Sequence, residues 1–326
     1  MGDRTGIPEG VHSVQGRHRI IKDLGRALRG PAVAIGNFDG VHLGHRALVV
    51  EALRVARTSG GEPVALTFDP HPARFFAPSL APPMLSPLRR RIELLQEAGA
   101  EVVVVEPFTA ELAAMSAEDF VEKVLAKDMG ARHVVVGSDF SFGKDRHGNI
   151  DVLTKVASRI GLGVSVVPQV TAQGLVCSST KIREFVLEGR VEGAYLLLGR
   201  PFEIDGTIVH GAARGRTLGF PTINVAHDGE ILPKPGVYAG RARCIEGDAT
   251  WYAAAISIGT NPTFTKEGDP ELFVEAHLLD FSGDLYGASM RLAFVAHLRE
   301  QRRYSNVDEL VAAIHSDIAR TRELCT

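Results

Sequence analysis

The chain has 326 residues, of which 45% are hydrophobic and 23% charged, a globular composition with length for two domains. Its 36 Lys+Arg against 39 Asp+Glu give a formal charge of -3, so there is no global basic footprint for a nucleic-acid duplex or an anionic membrane, and any polyanion it handles should be small. Cys177, Cys244 and Cys325 lie far apart, without the paired spacing of a disulfide framework or a zinc site; the opening MGDRTGIPEG lacks a signal-peptide core, and no run approaches the roughly 18 apolar residues of a spanning helix. A cytoplasmic protein is expected, with self-association left open.

In the first half, short apolar runs at 32–35, 64–68, 102–105, 133–136 and 164–167 alternate with helix-like segments at 46–57, 89–98, 117–127 and 180–187. That alternation predicts a doubly wound, Rossmann-like parallel sheet. Arg89-Arg90-Arg91 reads as a solvated helix start, because Ile92, Leu94 and Leu95 follow it as an apolar face. After a connecting helix at 191–198 the texture changes. Strand-like runs at 202–210, 237–244, 252–258, 272–279 and 290–297 predict a small antiparallel barrel, and Leu310, Val311, Ile314 and Ile318 a terminal helix packed on it. The boundary is expected near Gly189, dividing the chain into 1–188 and 189–326.

The first chemical signal, Gly36-Asn-Phe38-Asp39-Gly-Val-His42-Leu-Gly44-His45, follows the first strand and opens the first helix. A helix start offers free N–H groups and positive potential to a phosphate, Gly44 permits close backbone approach, and His42 and His45 sit about one turn apart. Two imidazoles could stabilise charge on a transferring phosphoryl group. The plain alternative is a glycine turn with two surface histidines; the strand–turn–helix context favours function.

Cys177-Ser178-Ser179-Thr180-Lys181-Ile-Arg183 opens a later helix. Ser179 and Thr180 both lack the Glu or Gln of a capping box three residues on, and hydroxyls with Arg183 suit phosphate oxygens, although capping stays open. Thr67-Phe68-Asp69-Pro-His71-Pro and Gly137-Ser-Asp139-Phe-Ser-Phe142-Gly each follow a strand and read equally as turn chemistry or as ligand contacts.

The His-x-Gly-His arrangement with Ser178-Ser-Thr-x-x-Arg183 resembles the nucleotidyltransferase superfamily. The longer strings GNFDGVHLGH, TFDPHP and GSDFSFG are similar to the adenylyltransferase half of the bacterial bifunctional riboflavin kinase/FAD synthetase family, and the likeness covers nearly the whole chain. It implies that FMN attacks the α-phosphate of ATP to give FAD and pyrophosphate, with Mg²⁺ neutralising phosphate charge. By the same match Gly36, Phe38, Asp39 and Gly44 line the nucleotide loop, and His42 and His45 bind and polarise the phosphates. Ser178, Ser179, Thr180 and Arg183 hold the triphosphate, and Phe68, His71 and Asp139 meet the flavin nucleotide. Val176 departs from the pattern, standing where the family is often basic.

The second half carries Gly211-Ala-Ala-Arg-Gly215-Arg216-Thr-Leu-Gly219-Phe-Pro221-Thr222-Ile-Asn224. Thr222 and Asn224 are two apart on an extended segment, so both side-chain oxygens face one way, as a hard ion such as Mg²⁺ requires; a glycine-rich hairpin with a polar end is the alternative. In Phe273-Val-Glu275-Ala-His277-Leu, Glu275 and His277 share one face. That face is either solvated or, at some cost, turned into the barrel. RGRTLGFPTIN, GTNPTF and VEAHLLDF look like riboflavin kinase. This resemblance implies that Glu275 is the general base for the riboflavin 5′-hydroxyl, that Gly211, Gly215 and Arg216 form the nucleotide flap, and that Asn261 and Arg299 lie near flavin. The implied reactions are phosphorylation of riboflavin to FMN and adenylylation of FMN to FAD. A nucleotidyltransferase for another phosphorylated acceptor and a non-catalytic flavin-sensing module are the competing readings.

Overall fold

A computed structural model of the chain describes residues 12–14, 17–19, 27–211, 219–247, 250–260 and 272–325. These fall into two compact units: residues up to Pro82 with Leu88–Cys177, and Pro83–Pro87 with the chain from Ser178 onward.

The first unit contains β1 (Ala32–Ile35), α1 (Leu43–Ser59), β2 (Pro63–Asp69), α2 (Leu88–Glu97), β3 (Val102–Pro107), β4 (His133–Gly137), α3 (Ile150–Ile160) and β5 (Gly163–Val167). The strands form one sheet in the order β3-β2-β1-β4-β5, parallel throughout. Alternate residues of each strand enter two separate cores. Ala34, Ala65, Val103 and Val135 pack with Leu48, Val49 and Leu95 from α1 and α2. On the opposite face Val33, Leu66, Val104 and Val134 pack with Leu153 and Val156 of α3 and with Phe120 and Val124, which lie on a π-wound helical segment, Phe120–Asp128. Burial on both faces explains why these strands read as unbroken apolar runs. The chain leaves β1 toward β2 on one side, and β4 lies on the other, so the loop after β1 occupies the topological switch point where ligands bind in open α/β sheets.

The second unit begins with α4 (Ser179–Leu187) and α5 (Val191–Leu198). Its barrel comprises β6 (Phe202–Val209), β7 (Ile223–His227), β8 (Gly236–Cys244), β9 (Tyr252–Thr260), β10 (Leu272–Leu278) and β11 (Ser289–Arg299), followed by α6 (Val307–Cys325). The strands close in the order β6-β7-β10-β9-β8-β11, every described pair antiparallel. Closure removes the unpaired edges of an open sheet. Phe202, Ile204, Val225, Tyr238, Ile256, Val274, Ala276 and Phe294 fill the interior. Strand β7 is the element the periodicity did not show: it is only five residues long, and it begins at the end of the motif read as a metal-binding segment.

Helix α4 packs on α5, and α5 packs on β6 and β11. The compact division therefore falls at Cys177/Ser178, and the boundary expected at 188/189 lies in the turn between two helices of one unit. The Pro83–Pro87 segment joins the same unit through Ile231 N–H donating to Met84 O at 2.9 Å and Arg183 Nε donating to Pro83 O at 2.8 Å. Arg291 and Asp205 form a two-pronged ion pair outside the barrel core, both contacts 2.7 Å and both side chains buried.

Candidate functional site

The loop after β1 is wound tightly. Phe38 holds a left-handed φ of 53° and is fully buried, and its ring lies so close under Gly36 that a Cβ there would stand 3.1 Å from it. His42 is the N-cap of α1, its Nδ1 accepting from His45 N–H at 3.3 Å. An acceptor Nδ1 places the neutral ring's proton on Nε2, leaving a single donor for a ligand. The His42 and His45 rings stack at 3.7 Å with 18° between planes, and Phe38 meets His45 edge-on at 5.2 Å. A Cβ at Gly44 would come within 3.0 Å of the His42 ring, so this glycine supplies the room for the stack. Asp39 is buried beside them.

Burial pushes His42 down from 6.5 to about 4. His45 is held well below 6.5, first by burial and then by His42 and Arg91. Both imidazoles are thus neutral at pH 7, and His45 Nδ1 is buried with no hydrogen-bond partner among the described residues. The pair offers donors to an incoming anion rather than fixed positive charge, and anion binding favours proton uptake.

The fixed charge comes from Arg91. The expectation of a solvated arginine run is incorrect: Arg90 and Arg91 are both buried. Arg90 caps the two acidic side chains of its own helix, Glu93 at 3.1 Å and Glu97 at 2.7 Å. Arg91 Nη1 donates to Asn37 O at 3.3 Å, Phe68 O at 3.1 Å and Thr67 Oγ1 at 3.4 Å, with Asp39 and Asp69 as nearby opposite charges. It ties the loop after β1 to the carboxyl end of β2. Periodicity could not show this, because an arginine on the polar side of a helical pattern looks solvated until the sheet edge is placed against it.

Phe68, near the end of β2, meets Phe108 edge-on at 6.0 Å; Phe108 in turn contacts Phe75 at 5.4 Å and Phe76 at 5.7 Å, and Phe140 stacks on Phe142 at 5.0 Å. This aromatic wall stands at the carboxyl ends of β2, β3 and β4, and sequence reading missed Phe75, Phe76 and Phe108 in it. His71 Nδ1 caps the short helix Pro72–Phe76 by accepting from Ala73 N–H at 3.1 Å. Asp139 lies exposed in the loop after β4.

On the second unit Ser178 is the N-cap of α4, its Oγ accepting from Lys181 N–H at 3.2 Å. Ser179 and Thr180 are therefore the first helical residues, which is why neither met the capping-box pattern. Lys181 Nζ pairs with Glu184 at 2.6 Å.

On the barrel, Asn224 of β7 is register partner of Glu275 in β10, and Glu275 is register partner of Ser257 in β9. Directly opposed residues share a face, so these three form one row across three strands. The row is on the outer surface, since the alternate residues Val225, Val274, Ala276, Ile256 and Ile258 are the buried ones. Glu275 thus does not enter the barrel and keeps partial exposure. A Cβ at Gly211 would fall 2.1 Å from Asn224 Nδ2, so the flap's first glycine lies directly on the Asn224 amide. His277 Nδ1 lies 2.8 Å from Pro221 O, and Phe220 meets His277 and His315 edge-on. Arg299 is bound by Asp317 of α6, with Nη2–Oδ2 at 2.7 Å. Gly215, Arg216 and Asn261 lie outside the described residues.

A parallel α/β sheet with a histidine pair in the loop at its switch point, carried in one chain with a closed antiparallel barrel, is the framework of a nucleotide-dependent transferase. Residues 25–181 match the FAD synthetase family and residues 198–325 the riboflavin kinase family. The chain is 35% identical over 318 residues to the bifunctional riboflavin kinase/FMN adenylyltransferase of Pseudomonas fluorescens, covering 98% of this chain and 97% of that protein. Its counterpart in Escherichia coli K12 is 35% identical over 306 residues, covering 94% and 96%. A crystal structure of a macrolide-efflux protein from Streptococcus pneumoniae matches with a TM-score of 0.79 and 31% identity, covering 90% of this chain and 94% of that one. Among the described residues no helix is long and apolar enough to cross a membrane. The chain belongs to the bifunctional riboflavin kinase/FMN adenylyltransferase family, and it phosphorylates riboflavin to FMN and adenylylates FMN to FAD.

Proposed function

We propose that the two reactions use separate groups: His42 and His45 for adenylyl transfer, and Glu275 with Thr222 and Asn224 for phosphorylation. The observation that supports this is that the histidine pair and the Asn224–Glu275 pair stand on different compact units, each with its own core.

In adenylyl transfer an FMN phosphate oxygen bonds to the α-phosphorus of ATP, and the bond to the bridging oxygen breaks to release pyrophosphate. The neutral imidazoles donate to phosphate oxygens where charge develops, with Phe38 packed edge-on against His45. Gly36, Asp39 and Gly44 shape the nucleotide loop; Phe68, with His71 holding the aromatic turn, meets the isoalloxazine ring, and Asp139 the polar part of FMN. The Ser178-Ser179-Thr180-x-x-Arg183 motif is assigned to the triphosphate by resemblance, which puts the functional boundary after α4, at 188/189. The FAD synthetase match runs to residue 181.

In phosphorylation the riboflavin 5′-hydroxyl oxygen bonds to the γ-phosphorus, its proton passes to a Glu275 carboxylate oxygen, and ADP leaves with the bridging-oxygen electrons. Thr222 and Asn224 supply two neutral oxygens, and no cluster of three or more His, Cys, Asp or Glu suited to a metal occurs among the described residues. That donor set fits Mg²⁺, which Thr222 and Asn224 would hold and which would neutralise phosphate charge. Gly211, Gly215 and Arg216 are assigned to the nucleotide, and Asn261 and Arg299 to the flavin, by resemblance. The three thiols suit a reducing, cytoplasmic setting.

The test is a double dissociation in the full chain, with flavins resolved chromatographically and folding checked by circular dichroism. Glu275→Gln lowers FMN formation by about 10²–10⁴-fold and leaves FAD formation from supplied FMN near wild type. His45→Ala does the reverse. Equal loss of both reactions in either folded variant overturns the assignment.

A further inference from the structure

The geometry points to Ser257 as the residue that reads the polyhydroxylated side chain of riboflavin, with Gln301 as the positioning residue that orients it. The inference rests on the reading of Glu275 as the base and extends it to substrate recognition.

Asn224, Glu275 and Ser257 occupy consecutive places in one outward-facing row, with Glu275 in the middle. Phosphoryl transfer sets the attacking and leaving oxygens on opposite sides of the phosphorus. On that reading Asn224, with Gly211 lying directly against its amide, marks the phosphate side of the base. A hydroxyl delivering its proton to Glu275 must then carry the rest of its chain away on the other side, toward Ser257. Cross-strand neighbours stand about 5 Å apart at Cβ, a spacing at which two side chains can hold two adjacent hydroxyls of one chain.

The Ser257 side chain is prepared for that contact. Its Oγ accepts from Gln301 Nε2 at 3.1 Å, which leaves the hydroxyl proton to donate to a ligand oxygen. Two residues on along the same face, a Cβ at Gly259 would fall 2.5 Å from Gln301 Nε2 and 2.7 Å from the Phe273 ring. Only a residue without a side chain lets Gln301 and Phe273 close over β9 there. The Gln301 amide is thereby held against a flat floor, although the residue is itself exposed.

Steady-state riboflavin phosphorylation by the full chain tests this, with 4′-deoxyriboflavin as the probe lacking the hydroxyl next to the reacting one. Ser257→Ala raises KM for riboflavin about three- to tenfold, the effect of one neutral hydrogen bond, with kcat and the KM for ATP within about twofold of wild type. Wild type shows a similar rise with 4′-deoxyriboflavin, and Ser257→Ala adds nothing further with that analogue. Flavin fluorescence titration without nucleotide shows the same weakening. Ser257→Thr restores the wild-type KM, separating the hydroxyl from strand packing, and Gln301→Leu shifts KM for riboflavin in the same direction with kcat unchanged. A rise in the KM for ATP instead, or independent effects of analogue and substitution, overturns the inference. Glu275→Gln separates it from the underlying reading: a fully active Glu275→Gln enzyme sinks the base, whereas an inactive one beside an unaffected Ser257→Ala sinks only the role of Ser257.

Discussion

The neutral state of His42 makes the stability of the first unit sensitive to acid. The unfolded ring titrates near 6.5 and the folded ring near about 4, so the folded chain binds fewer protons between these values. This contribution is fully present above 6.5 and is lost as pH falls toward 4. The whole gap is worth about 3 kcal/mol, and about 2 kcal/mol of it is lost by pH 5. His42→Asn keeps an N-cap acceptor and removes the titration. Urea unfolding of wild type and variant at pH 7.5 and pH 5, followed by a probe in the first unit, should show the variant losing about 2 kcal/mol less on acidification. Bound ATP should oppose the acid loss in wild type, because a polyanion favours the protonated ring. Equal pH dependence of wild type and His42→Asn between 7.5 and 5 would refute the reasoning.

Arg91→Met leaves Asp39 and Asp69 without their buried counter-charge and frees the Asn37 and Phe68 carbonyls. Thermal unfolding should show a loss of about 3–5 kcal/mol, with Arg91→Lys intermediate. Gly211→Ala drives a Cβ into the Asn224 amide. It should lower riboflavin phosphorylation at least about tenfold while FAD formation from FMN is unchanged. A fragment beginning at Ser178 should melt at least about 10 °C above one beginning at Gly189, because the shorter piece loses buried Ile182, Phe185 and Val186 of α4; calorimetry on the two decides it.

What was legible in the sequence is what is local. The apolar runs of the parallel sheet carry their own signal because both faces are buried, and GNFDGVHLGH reveals a strand–turn–helix because turn and cap chemistry act over a few residues. The barrel's long strands could be read in the same way, whereas β7 at five residues was too short to show a period beside its glycine-rich approach. The remaining features depended on pairing between distant segments. Burial by the rest of the unit turns two histidines that look like surface cations into a stacked neutral pair. The sheet edge turns Arg91 from a solvated residue into the clamp between the loop after β1 and the end of β2. Whether Glu275 faced the interior or solvent could not be decided by alternation alone, since period two separates two faces without saying which is inside. Closure of the barrel made that choice, and strand register, which joins Glu275 to residues 18 and 51 positions away in sequence, set Ser257 and Asn224 on either side of it.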